Sequence, residues 1–218
     1  MPDAKIISGK AAPMPRADID TDMILPAQFL LRLDRKLGPF VFHALRNKGN
    51  SNEVFVLDQP QFENAPILVA GARFGIGSSR EQAVWAMLDA GIRCVIAPSF
   101  GDIFFDNARR NGLLALVVEP ATQALIMDEA LAARPIEVDI HATEIRFENG
   151  MRIHFDIEET YRQSILEGLD ETDQILHNFA EDIEHFEARQ KAQRGWIDLP
   201  HNALAATSPK NGNLGITQ

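Results

Sequence analysis

Gly75-Ile76-Gly77-Ser78-Ser79-Arg80-Glu81 places two hydroxyls, a guanidinium and a carboxylate on consecutive positions of a glycine-containing turn. Those groups suit an acidic ligand: a guanidinium offers a carboxylate a fork of donors, and a nearby oxygen can accept a proton. The turn follows an apolar run, Ile67 to Phe74, and precedes a helical pattern from Gln82 to Ala90. The run reads as a buried strand, and glycine lets the backbone turn where a Cβ would clash. Ser78 and Glu81 have the spacing of a capping box, which predicts a helix starting at Ser78 or Ser79. The free N–H groups and dipole of such a helix start would favour an anion at the same spot. Ordinary helix capping accounts for the same spacing, so both readings stay open at this level. The stretch is not a P-loop, because no Gly-Lys-Ser/Thr follows. A dinucleotide fingerprint is also excluded by the glycine spacing and by the lack of an acidic residue near Arg93 to Pro98.

The elements that would position this turn follow from hydrophobic periodicity. Lys5 to Ala11 reads as a first strand, followed by a loop rich in proline and aspartate from Pro13 to Asp22. Ile24 to Leu33 is ambiguous between a short helix and a loop, and Phe40 to Leu45 reads as a short helix. From Ile67 the order is strand, helix, strand, helix, strand, which implies parallel pairing through right-handed crossovers. The second of these helices, about Asp102 to Arg110, should stop at Asn111-Gly112. Leu113 to Val118 is then a buried strand and Ala121 to Ala133 a helix. Beyond them, Asn149-Gly150 between alternating runs signals an antiparallel hairpin. Thr160 to Leu166 gives a helix leading to Gly168. Thr172 to Gln193 reads as a long acidic helix whose Ile175, Leu176, Phe179, Ile183 and Phe186 form one apolar stripe. Residues 1–200 are expected to form a single domain and 201–218 a disordered tail.

Composition narrows the function classes. The chain has 218 residues, 45% of them hydrophobic, and no apolar run long enough to span a bilayer. Met1 to Lys5 lacks the basic start and apolar centre of a signal peptide, so a cytoplasmic location is expected. The net charge of −10 argues against nucleic acid as the main partner. Cys94 is the single cysteine and lies inside an apolar strand pattern, which favours a buried structural thiol. One cysteine cannot hold an iron–sulfur cluster or zinc by itself.

The sequence also resembles a known family. Gly77-Ser78-Ser79-Arg80-Glu81, Ala83-x-Trp85-Ala86, Gly91 to Phe100, Asp102 to Asn107 and Asn111 to Leu114 are similar to the small subunits of 3-isopropylmalate dehydratases, the swivelling domains of the aconitase superfamily. Asp20-Thr21-Asp22-x-Ile24-x-Pro26-x-Gln28-Phe29-Leu30 extends the likeness upstream. Weaker similarity at Gly168 to Asp170 and Trp196 to Pro200 extends it downstream. The resemblance implies an α/β fold, the swivelling β/β/α domain with mixed parallel and antiparallel strands. It implies half of a hydro-lyase of leucine biosynthesis that isomerises 2-isopropylmalate to 3-isopropylmalate through loss and re-addition of water. Ser78 matches the base that removes a proton next to a carboxylate. Ser79 and Arg80 match substrate-carboxylate binders, and Asp22 matches an acidic active-site residue. The family selects its substrate in the loop after Pro26, which makes Arg32 and Arg35 candidates for carboxylate contact, alongside a plain solvated basic loop. Thr21 could simply support the Asp22 turn, and Asp22 could itself be a turn aspartate bound to its own backbone.

The resemblance further implies a heterodimer with a large subunit carrying a [4Fe-4S] cluster, with no metal bound by this chain. The partners expected are that subunit and a small dicarboxylate, with no membrane and no nucleic acid. Gln82 stands where the family usually has histidine and Val84 where proline is common; Asp106 and Ala108-Arg109 also depart from its asparagine-rich pattern. These departures keep open a related alkylmalate, dimethylmalate or citraconate hydratase, or a dicarboxylate-binding paralogue without catalysis.

Overall fold

A computed structural model of the chain describes residues 6–30, 36–46, 54–168 and 171–194. Arg32, Arg35, the 201–218 tail and the Trp196 to Pro200 segment lie outside the described residues. Tertiary contacts divide the chain into two compact units, Met1–Thr172 and Asp173–Gln218.

The first unit is built on one mixed sheet of seven strands among the described residues. They are β1 Ile6–Met14, β2 Ile67–Ala70, β3 Cys94–Ala97, β4 Leu114–Val117, β5 Pro135–Asp139, β6 Glu144–Phe147 and β7 Arg152–His154, in the spatial order β4-β3-β2-β1-β5-β6-β7. β1 joins two kinds of pairing. Ala11 to Met14 run parallel to β2, while Ile6 to Lys10 run antiparallel to β5. β2, β3 and β4 are parallel, and β5, β6 and β7 antiparallel. The mixed α/β fold inferred from the sequence is the one observed. β1 continues to Met14, into the stretch read as loop, and β2 ends at Ala70, short of Phe74.

The parallel strands are buried on both faces, as crossover helices require. Leu68, Ala70, Val95 and Ala97 face one core, shared with α3 Gln82–Asp89 and α4 Asp102–Asn111 through Ala83, Met87 and Phe104. Ile67, Val69, Cys94 and Ile96 face the other, against α5 Pro120–Leu131 and α6 Glu159–Glu167 through Ile126, Met127, Tyr161 and Ile165. Cys94 is fully buried, and that burial pushes its thiol far above the ordinary range, so it is a packing residue. Tyr161 ties α6 to the sheet edge: its hydroxyl accepts from Ala115 N at 2.9 Å and donates to Leu113 O at 2.7 Å.

α1 Thr21–Ile24 and α2 His43–Arg46 are single turns that flank the first core. The helix read over Phe40 to Leu45 is a 3-10 turn, Gly38–Phe40, followed by α2. α4 stops at Gly112 as expected. The hairpin between β6 and β7 also forms, with Gly150 alone taking positive φ, at 83°.

The second unit carries most of α7, Glu171–Asn178, and all of α8, Ala180–Gln193. The single long helix read from the periodicity is therefore two helices separated at Phe179. Ile175, Leu176, Phe179 and Phe186 of the expected stripe are exposed.

Candidate functional site

The loops leaving the carboxyl ends of β1 and β2 run side by side, which is where open parallel sheets place ligands. An irregular ladder prolongs the strand pair into the loops. Gly71 N donates to Met14 O at 3.1 Å, Asp18 N to Ala72 O at 3.0 Å, Gly75 N to Ile19 O at 2.7 Å, and Thr21 N to Ile76 O at 2.9 Å. The loop after β3 joins through Gly101 N, which donates to Phe74 O at 2.8 Å. At Gly75 the φ is 77°, and a Cβ there would lie 2.2 Å from Cγ of Phe104. Phe104 cannot step aside, because it is buried and packs edge-on against Phe74 with ring centroids 5.4 Å apart. Glycine at position 75 is therefore a requirement of packing as well as of backbone angle.

The ladder ends on a side chain. Ser78 N donates to Thr21 Oγ1 at 3.1 Å, and the two hydroxyl oxygens are 2.8 Å apart. Thr21 is buried, with 1% of its surface exposed, whereas Ser78 is half-buried and Ser79 exposed. Arg80 grips Asp22 with both terminal nitrogens, Nη1 to Oδ1 at 2.6 Å and Nη2 to Oδ2 at 2.8 Å. Those hydrogen bonds hold the Asp22 carboxyl below the ordinary carboxylate range against a smaller opposing push from desolvation. The same bonds to Asp22 raise the Arg80 pKa. A guanidinium has five N–H donors, so three remain for another acceptor.

The capping box is not formed. α3 begins at Gln82 with Glu81 at its N-cap, and neither Ser78 nor Glu81 caps it through a side chain. The reason lies in distant partners. Thr21 Oγ1 accepts from Ser78 N and hydrogen-bonds the Ser78 hydroxyl, while Glu81 Oε1 accepts from Asn111 Nδ2 at 2.7 Å. Asn111 in turn accepts from Trp85 Nε1 at 2.8 Å, so α4's last residue braces the loop from the other side. That role of Asn111 has no signal in the spacing, which marks it only as a helix terminus. The backbone-binding turn aspartate is Asp20, whose Oδ1 accepts from Met23 N at 2.6 Å. Asp22 is left free to face Arg80.

Of the site residues expected from sequence, Asp22 on α1 and Ser78, Ser79 and Arg80 on the loop after β2 thus come together, and Thr21, read as a support for the Asp22 turn, bonds Ser78. Arg32 and Arg35 lie outside the described residues. Gln82 sits half-buried at the first position of α3. A cleft of about 280 Å³ lined by Gly38, Arg46, Asp58, Phe62, Asp89 and Ile92 shares none of these residues.

Among the described residues no group of three His, Cys, Asp or Glu could hold a metal ion, and no helix is long and apolar enough to cross a membrane. An iron–sulfur cluster does not fit this chain's own residues, since its one thiol is enclosed in the sheet.

Residues 1–121 match the family model of the aconitase C-terminal domain. The 3-isopropylmalate dehydratase small subunit of Dinoroseobacter shibae is 44% identical over 88% of this chain and 97% of that protein. The one of Caulobacter vibrioides is 41% identical over 88% of this chain and 96% of its own length. The crystal structure of a 3-isopropylmalate dehydratase chain from Methanocaldococcus jannaschii superposes with a TM-score of 0.60 at 28% identity, covering 85% of this chain and 99% of that one. With the Ser78 loop, the mixed sheet and these relatives agreeing, the chain belongs to the family of 3-isopropylmalate dehydratase small subunits.

Proposed function

We propose that this chain is the proton-handling half of a cytoplasmic heterodimeric hydro-lyase of leucine biosynthesis, which isomerises 2-isopropylmalate to 3-isopropylmalate by dehydration and rehydration. The observation that carries the reading is the pairing of a half-buried Ser78 hydroxyl with a carboxylate-gripping Arg80 on one loop. Ser78 Oγ, as the alkoxide, takes the proton from the carbon beside a substrate carboxylate and becomes the hydroxyl, which gives the proton back on rehydration. The C–H electrons become the new double bond as the hydroxyl departs from the adjacent carbon, and rehydration runs the same exchange in reverse with the positions swapped. A serine oxygen does this only where donors stabilise its negative charge. Among the described residues, the N–H groups of Ser79, Arg80, Glu81 and Gln82 donate to no protein acceptor, so they remain available at the start of α3.

Arg80 and Ser79 bind the substrate's carboxylate. Asp22 already occupies the guanidinium fork as a carboxylate would, and keeps it oriented. Arg32 and Arg35 are proposed to meet the second carboxylate from the loop after Pro26. Ser79 is exposed and Ser78 half-buried, which leaves this loop open to a second subunit. The large subunit implied by the family carries the [4Fe-4S] cluster, which when bound supplies Lewis-acid pull on the departing hydroxyl.

Ser78→Ala in the reconstituted two-subunit enzyme should lower kcat by roughly 10²- to 10⁴-fold, the range for a lost general base. KM and thermal stability should stay near wild type. Retention of more than a tenth of the activity would refute the assignment. Assaying isopropylmalate against dimethylmalate and citraconate on the same complex identifies the substrate.

A further inference from the structure

We infer that Thr21 is a positioning residue for Ser78, its hydroxyl donating the hydrogen bond that holds the Ser78 oxygen ready to accept a proton. The inference rests on Ser78 being the base. It follows from counting donors. Thr21 Oγ1 has one proton and two acceptor sites, and the Ser78 N–H, at 3.1 Å, fills one of those sites. The neighbouring Ser78 Oγ, at 2.8 Å, can relate to it in two ways.

If Ser78 donated, the buried Thr21 proton would have no acceptor among the described residues, and an unmet buried donor is costly. If Thr21 donates, both of its capacities are met, and the Ser78 oxygen can release its own proton to solvent and stand as the alkoxide that accepts the substrate's proton from the open side. One hydroxyl then holds Ser78 at both its backbone nitrogen and its side-chain oxygen, which fixes the side-chain torsion. With Ser78 in the alkoxide form that bond is charge-assisted, and so it stabilises the base before the substrate proton is taken.

Thr21 is itself held in place. Its N–H donates to Ile76 O at 2.9 Å, and its own carbonyl accepts from Leu25 N at 2.9 Å. A β-branched side chain adds stiffness about χ1 that serine at this position would lack. The local sequence gives no hint of the role, because the two residues are 57 positions apart.

The test uses the reconstituted two-subunit enzyme with active sites titrated. Thr21→Val, which keeps the shape and removes the hydroxyl, should lower kcat about 10- to 100-fold per active site. KM should change less than threefold, and the acid limb of the kcat–pH profile should move to higher pH. Thr21→Ser should recover kcat to within about fivefold, because it restores the donor. In a Ser78→Ala background, Thr21→Val should have no further effect on kcat. A Thr21→Val enzyme with lower thermal stability but unchanged kcat and pH profile would overturn the inference and leave Thr21 a structural support. If Thr21→Val does not assemble, Thr21→Cys, with its weak S–H donor, gives the same readout, and an unchanged kcat and profile there also overturns it. Substantial activity in Ser78→Ala alone would instead remove the base assignment on which this role depends.

Discussion

Two arginine–carboxylate clusters in the first unit are assembled by opposite means. Arg146 on β6 bonds Glu137 at 2.9 Å, Asp139 at 2.8 Å and Glu144 at 3.0 Å. Glu137 is its direct cross-strand partner and Asp139 a diagonal one, so antiparallel register alone brings the charges together. Arg80 and Asp22, by contrast, are 58 residues apart, on a loop and on the one-turn α1, with no shared strand register. They meet because the irregular ladder from Gly71 to Ser78 draws the two loops along each other. A register-made cluster needs only the hairpin to fold, whereas a loop-made one needs every constraint along the ladder. The second kind can present its groups to a ligand because no neighbouring strand covers them.

That contrast can be broken most severely at Gly75. Gly75→Ala should destabilise the protein by about 3 kcal/mol or more, since it adds both backbone strain and a collision with the Phe104 ring. Gly150→Ala, on the register-made side, adds a Cβ with no atom within 4 Å and should cost only about 1 kcal/mol at its φ of 83°. Thermal or urea unfolding of the two variants measures the difference, and equal losses would mean the ladder is not the constraint described.

The two arginines should then separate function from stability. Arg80→Ala should reduce kcat/KM of the two-subunit enzyme by about 10²-fold through lost charge-assisted bonds to substrate. Its effect on unfolding free energy should be under about 1 kcal/mol, as expected of a partly exposed ion pair. Arg146→Ala should do the reverse, lowering stability measurably more than Arg80→Ala through its lost cross-strand pairs and leaving kcat/KM within twofold. Activity lost in Arg146→Ala would erase the distinction.

The smallest effect is a pH dependence. The folded Asp22 carboxyl lies below its ordinary range, so the unfolded chain binds that proton first as pH falls. The stabilisation from the pair is therefore complete above the unfolded carboxylate's pKa of about 4 and fades as pH drops through the lower folded value. With the Asp22 side chain 59% exposed, the loss should stay below about 1 kcal/mol. Asp22→Asn should flatten the fall in stability between roughly pH 5 and pH 2, measured by urea titration. An unchanged slope would show that Arg80 does not hold Asp22 in solution.

Much of this arrangement was legible in the residues alone. Alternating strand and helix patterns from Ile67, the stop at Asn111-Gly112, the Asn149-Gly150 hairpin and the enclosed Cys94 all depend on local periodicity or turn chemistry, which act over a few positions. Ser78, Arg80 and Asp22 could be named from the family motifs. The start of α3 could not be read the same way. The capping-box rule assumes that Ser78 and Glu81 find their partners nearby, but Thr21 and Asn111 outcompete the local backbone for them.

The sequence by itself determined the order of elements, the buried faces of the parallel strands and the chemical groups available at the turn. It left Asp22 open between an active-site carboxylate and a turn aspartate bound to its own backbone. Only the tertiary structure decided that Asp20 caps α1, that Asp22 faces Arg80 and that Thr21 reaches Ser78. The physical reason is that hydrogen bonds across adjoining loops depend on which backbone groups the strand pairing brings within 3 Å or so, a distance that no local pattern encodes.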